Sequence, residues 1–431
     1  MIICVYRDHF CSSRKEKVMS ILAVDGGIPV CTDTDWGRHL IGEEEREAVM
    51  NLFDESLHKG SAFDRYSGEH VDAYEKEFAA YIGCKHATAV SSGTAAIHAA
   101  LSALRLEPGT EVICSPITDP GAVSPVVLNL CIPVFADTLP GTFNINREGV
   151  EKVISGRTGA IVAGHIAGEP ADMEPIAELG RERGIPVIED CAQAHGAEYR
   201  GKLAGTLSDA AAFSMMSGKH HTSGGQGGMV VTDDNELCVN AKRFADRGKP
   251  FGSDETTNLF AGLNYRMTEL EAVIGRVQLK KLPAFIAGRS KLVDHLADRI
   301  SGLESVSLGR ILEDTKPVYW FLRIHVDESK LKVTKEQFAE ALEAEGIPSA
   351  PTYTSIIYIQ KWFKEKQVFG TSGLPWSLPG NDRDIVYEGS CPNAEEALAS
   401  HLMISLNESY TEKHMDMIAE ALGKVEKAYL R

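Results

Sequence analysis

A chain of 431 residues, 43% hydrophobic and 24% charged, is long enough to bury one large core or two moderate ones, and two domains are expected. The 61 acidic against 44 basic residues leave a formal charge of −17; such a surface repels a phosphate backbone and argues against a nucleic-acid partner. Nine scattered cysteines with no CxxC pair argue against a zinc site or a disulfide framework and fit free thiols in a reducing cytoplasm, and no apolar run is long enough to cross a bilayer.

The first 18 residues, MIICVYRDHFCSSRKEKV, lack the apolar stretch and cleavage site of a signal peptide. Residues 1–20 are therefore expected to be a disordered extension, with Met19 an alternative start. From about 87 to 232 short apolar runs alternate with helical patterns. The runs fall at 87–90, 111–114, 133–135, 160–165, 186–190, 210–214 and 229–232. This alternation predicts an α/β fold with a mostly parallel sheet covered by helices on both faces, and ligands in such sheets gather at the carboxyl ends of the strands. A helix over roughly 268–281 is expected to bridge into a second domain. That domain should hold a strand at 318–326, a helix at 335–345, a further segment around 351–359 and a last helix at 411–429. The stretch 368–388, rich in Gly, Pro and Ser, reads as a long exposed loop. The expected division is a large domain over 21–282 and a small one over 283–431.

Four local features sit at strand ends or helix starts. Ser91-Ser92-Gly93-Thr94 follows a strand and opens a helix, where free N–H groups, hydroxyls and a glycine make an anion cradle; alone it reads first as a plain N-cap. Asp190, in Glu189-Asp190-Cys191-Ala192-Gln193, ends an apolar strand, and a carboxylate buried there needs a cationic partner or is simply a helix cap. Lys219 follows Phe213-Ser214-Met215-Met216 and precedes a glycine-rich tract; partial desolvation would lower its pKa and make its amine a nucleophile. Asn264, in Gly262-Leu263-Asn264-Tyr265-Arg266, stands just before a helix start at Thr268. Taken together and in this order, an anion site, a strand-end acid and a lysine near glycines are what pyridoxal phosphate requires.

The chain resembles the DegT/StrS-type sugar aminotransferases, including the branch of aminohydroxybenzoate synthase and scyllo-inosose aminotransferase. The likeness is carried by AVDGGIPV from Ala23, GEEEREAV from Gly42, SSGTAAIHAALSAL from Ser91 and HIAGEPADM from His165. It continues in VIEDCAQAHGAEYRGKLAGTLSDAAAFSM from Val187, GGMVVTDDNEL from Gly227, NYRMTELEA from Asn264 and QLKKL from Gln278. The resemblance implies the large-plus-small-domain architecture of fold-type I aminotransferases and pyridoxal 5'-phosphate as cofactor. It implies that Lys219 forms the Schiff base and shuttles the proton, and that Asp190 keeps the pyridine nitrogen protonated. Gln193 would lie beside the ring, and Ser92, Gly93, Thr94 and Ser214 would bind the phosphate. Asn264 would reach the phosphate of a neighbouring subunit, making a homodimer the active unit. Tyr353 would lie near the substrate, as would His220. The reaction implied takes nitrogen from glutamate or glutamine and gives it to a keto-sugar or keto-cyclitol.

Two departures lie near the expected site. Where the family has an aromatic residue over the cofactor ring, this chain has Pro120, and the tract after Lys219 is one glycine longer. Adjacent His220 and His221 lack the spacing of a metal site, so no metal is expected. His165 and His195 read by default as satisfied structural histidines. A sugar dehydratase on the same fold, in which a histidine replaces the lysine, and a non-catalytic regulator on that fold remain as alternatives.

Overall fold

The computed structural model describes residues 21–32, 34–60, 62–63, 68–381 and 383–431. The extension expected over 1–20 lies outside the described residues. Seven strands build the larger sheet: β1 His86–Val90, β2 Glu111–Cys114, β3 Ile132–Phe135, β4 Thr158–Gly164, β5 Val187–Asp190, β6 Ala210–Ser214 and β7 Gly228–Thr232. Each matches one of the apolar runs. Their order is β1-β7-β6-β5-β4-β2-β3. β6, β5, β4, β2 and β3 pair in parallel, while β7 runs antiparallel to both β1 and β6.

The strands are nearly continuous runs of apolar residues because both faces are covered. Val112 and Cys114 pack into one cluster and Ile113, between them, into the cluster on the opposite side. One face is covered by α3 (Gly93–Ala103), whose alanines allow close approach to the sheet. The other is covered by α2 (Glu69–Ile82), preceded in the chain by α1 (Glu43–Lys59), and by the first half of α5 (Glu269–Ile300). The intervening α4, Pro120–Leu128, begins with proline at a position where its missing N–H costs nothing.

α5 begins at Thr268, whose hydroxyl accepts the Glu271 N–H while Glu271 reaches back to the Thr268 N–H, a reciprocal capping box. It was expected to end near 281, but it runs unbroken through Pro283 to Ile300. Leu279 and Leu282 pack under the large sheet, whereas Leu292, Val293 and Leu296 pack under a second sheet. That sheet contains β8 Val306–Leu308, β9 Phe321–Val326, β10 Ser349–Ala350 and β11 His401–Ser405, antiparallel in the order β8-β9-β11-β10. Helices α6 (Lys335–Ala344) and α7 (Glu412–Tyr429) cover it.

The stretch 368–388 is irregular, as expected, but it is not simply exposed. Trp376 is buried, its indole N–H donates to the Tyr387 hydroxyl, and that hydroxyl donates to the Pro133 carbonyl of β3. Arg383 also pairs with the buried Glu111. Two aromatic rings bury too much surface for water to hold them off the core. No helix among the described residues is long and apolar enough to cross a membrane.

Candidate active site

The carboxyl ends of β1, β5 and β6 deliver Ser92, Asp190 and Ser214 to one place, and α3 and α4 start there. A cavity of about 270 Å³ opens between them. Its floor is the start of α3. Ser92 is the N-cap, its hydroxyl accepting the Ala95 N–H at 3.1 Å. The hydroxyl is thus engaged in the capping role, and Gly93 and Thr94 stand in the first turn, where backbone N–H groups have no partner inside the helix. Gly93 has to be glycine: a Cβ there would lie 2.5 Å from the Cβ of Ser214. Backbone N–H groups, the Thr94 and Ser214 hydroxyls and the positive end of a helix dipole form an anion cradle.

Asp190 lies on the cavity wall and is 7% exposed. One of its oxygens accepts the Ala192 N–H at 3.0 Å. Burial pushes its carboxyl up, against the pull of that hydrogen bond, of Lys219 and of His165. A carboxylate so buried is stable as an anion only beside a cation. Lys219, also 7% exposed, lines the same cavity. Burial lowers its amine to about 8, with Asp190 and Asp119 opposing the shift. Gln193 is held at both ends: its carbonyl accepts the Ala167 N–H at 2.8 Å and its amide donates to the Tyr353 hydroxyl at 2.9 Å. Tyr353 is thereby brought against Gln193, itself on the cavity wall, from more than 150 residues away, stacked on Phe321 with ring centres 4.8 Å apart.

Two expected residues stand elsewhere. Asn264 is exposed, pairs through its backbone with Asp246, and does not border this cavity in its own chain. His220, expected at the substrate, is a correction. It is fully buried behind Lys219, donating from Nε2 to the Val318 carbonyl at 3.0 Å, because the chain turns inward after the lysine. His221 and His195 are buried there too, hydrogen-bonded to each other at 2.8 Å, with His221 also bonded to the Tyr74 hydroxyl. Burial keeps all three rings neutral, His221 down at about 3. His165 accepts the Ala171 N–H and donates to Glu189 at 3.0 Å, as a satisfied structural histidine does.

The sequence reading missed several groups. Asp119 caps α4 beside the cavity, and Trp320 forms part of its wall. Arg38 donates to the carbonyls of Ser217 at 2.8 Å and Lys219 at 2.6 Å, and pairs with Glu408 at 2.6 Å. Glu408 in turn pairs with the buried Arg289, which donates to the Tyr319 carbonyl. Partners that lie 370 residues apart leave no local signal.

A strand-end carboxylate, a desolvated lysine and an anion cradle, all at the carboxyl ends of a mostly parallel sheet, define a pyridoxal-phosphate enzyme of the aminotransferase fold. The residues fit the cofactor: the cradle suits its phosphate, Asp190 its ring nitrogen and Lys219 its aldehyde. The model of the DegT/DnrJ/EryC1/StrS aminotransferase family matches residues 43–423. The chain is 31% identical over 374 residues to GDP-perosamine synthase of Escherichia coli O157:H7, covering 86% of this chain and 96% of that one. Among solved structures, the aminotransferase from Psychrobacter cryohalolentis aligns with TM-score 0.81 and 28% identity over 91% of this chain and 98% of its own. The NtdA protein of Bacillus subtilis, solved with bound cofactor PMP, aligns with TM-score 0.76 and 26% identity over 90% and 83% of the two chains. The chain belongs to the DegT/DnrJ/EryC1/StrS aminotransferase family and is a pyridoxal-phosphate-dependent aminotransferase.

Proposed function

We propose that this aminotransferase takes an amino group from glutamate or glutamine and gives it to a ketone on a sugar or cyclitol. The observation that carries the reading is the meeting of Lys219 and Asp190, both buried, in a cavity floored by a helix N-terminus. Bound pyridoxal phosphate supplies an electron sink that lets a proton leave carbon. Asp190 would hold the ring nitrogen protonated, since burial makes this carboxylate need a cation. Gly93, Thr94 and Ser214, with the Ser92 cap ordering the turn, would bind the phosphate. An amine near about 8 gives up and takes back a proton at working pH, so Lys219 suits both proton transfers. Gln193 would border the ring and Tyr353 would face the acceptor.

A relative named GDP-perosamine synthase supports a sugar-type acceptor. The exposed Asn264 would reach the phosphate of a second copy, making a homodimer the working unit. Seven cysteines among the described residues are free, which supports a reducing cytoplasm. The dehydratase alternative needs a histidine in the lysine's place, and the burial of His220 away from the cavity counts against it.

The test is the absorbance spectrum of the purified chain with pyridoxal phosphate, before and after glutamate or glutamine, beside Lys219→Ala. The expected result is a visible band that bleaches with one of the donors and is missing from the variant. A band that neither donor changes would overturn the donor assignment. Loss of hydroxyl from a sugar substrate without nitrogen transfer would favour the dehydratase.

A further inference from the structure

Trp320 meets the lysine that defines the site, and nothing in the sequence pattern assigned it a role. Its indole ring borders the cavity, and Lys219 Nζ lies 3.7 Å from the ring centre. The contact is built into the backbone on both sides of the lysine. The indole N–H donates to the Gly218 carbonyl at 2.7 Å, and His220 Nε2 donates to the Val318 carbonyl at 3.0 Å. The segment is anchored from below as well: the N–H groups of Val318 and Trp320 donate to the carbonyls of Gly168 and Ala167, each at 2.8 Å. Tyr353 closes the far edge of the ring, centroids 5.7 Å apart at 80°. The indole is therefore held in one place, with the amine over its face.

We propose that Trp320 is the positioning residue of Lys219, its indole face seating the free amine and favouring the protonated form whenever the lysine is not joined to the cofactor. The inference rests on the reading that Lys219 works on pyridoxal phosphate. The physics is electrostatic. The face of an indole is the negative end of its quadrupole, and the attraction for an ammonium grows as water is excluded. Burial drives the amine toward the neutral form, while Asp190 and Asp119 act on its charge through space. The indole adds to the side of the carboxylates. A lysine that accepts a proton from carbon and then returns it needs its two forms balanced near working pH.

The test uses the full-length chain freed of cofactor, with Trp320→Leu and Trp320→Phe beside the wild type. Pyridoxal phosphate is added between pH 6 and pH 10, and the growth rate of the visible band is followed. Capture needs the neutral amine, so the rate rises with pH through the amine's midpoint. The cofactor's own titrations are common to the three proteins. Removing the indole removes a stabiliser of the ammonium, so the midpoint should fall by about one pH unit in Trp320→Leu and by less in Trp320→Phe. Below the wild-type midpoint the Leu variant should then capture the cofactor faster, by up to about tenfold. A role in packing alone lowers the plateau and leaves the midpoint where it was. An unchanged midpoint in both variants, or one that moves up, overturns the inference alone. A wild-type chain that raises no band at any pH overturns the lysine's role, and this inference with it. Where Trp320→Leu fails to fold, Trp320→Phe, which keeps a ring in the same space, carries the comparison.

Discussion

At the scale of single residues, the site works by removing options. Gly93 admits no side chain because the strand-end Ser214 stands 2.5 Å from where a Cβ would go. Gly93→Ala should therefore push the start of α3 away from β6 and weaken pyridoxal phosphate binding by tenfold or more, about the loss of one or two backbone hydrogen bonds to an anion. Equilibrium dialysis against the cofactor measures this. Adding Ser214→Gly to Gly93→Ala should recover part of the affinity if the clash is the cause; if the double variant binds worse than the single, the Ser214 hydroxyl matters more than the space it takes. Lys219 and Asp190 follow the same logic in charge rather than volume. Both are largely buried, so water stabilises either ion poorly and each depends on what the cavity brings beside it.

At the scale of elements, the lysine loop is held by groups remote in sequence. Arg38 binds the carbonyls of Ser217 and Lys219, Glu408 binds Arg38, and Arg289, 1% exposed, binds Glu408 and the carbonyl before Trp320. This chain of charges ties the N-terminal strap, the lysine loop and the turn into β9 to one another. Removing one member of a buried ion network leaves the others uncompensated. Glu408→Gln should cost about 3 kcal/mol of unfolding free energy, since two arginines would lose their counter-ion. Urea unfolding of the two proteins reads the difference. A cost below about 1 kcal/mol would show that the arginines are satisfied by carbonyls alone. Pairings of this kind cannot be read from local pattern, because no periodicity connects residue 38 with residue 408. The strands could be read, since an apolar run between turn residues is local: all seven of the large sheet stand where the runs were. The end of α5 could not. The helix was expected to end near 281, and tertiary packing on both sheets carries it through Pro283 to Ile300.

At the scale of the whole molecule, the proposed homodimer makes a sharp demand on Asn264, which is exposed and outside its own chain's cavity. Lys219→Ala and Asn264→Ala should each lower activity as homodimers. Mixed in equal amounts and allowed to exchange subunits, they should regain about a quarter of wild-type turnover, because half the dimers are mixed and each has one intact site. No recovery on mixing, with exchange verified by a tag, would confine Asn264 to its own chain.

The sequence by itself determined the fold class, the strand positions, the family and most of the expected residues that gather at one cavity, because each rests on a local signal: an apolar run, a cap, a glycine where backbones approach. Only the tertiary structure decided what surrounds Lys219. That His220 turns away into the core, that Trp320 comes under the amine, that Tyr353 meets Gln193 and that Arg38 grips the loop all depend on segments folded together from distant parts of the chain. Side-chain direction in an irregular loop follows from what is packed on either side of it, and that information is not held within the loop.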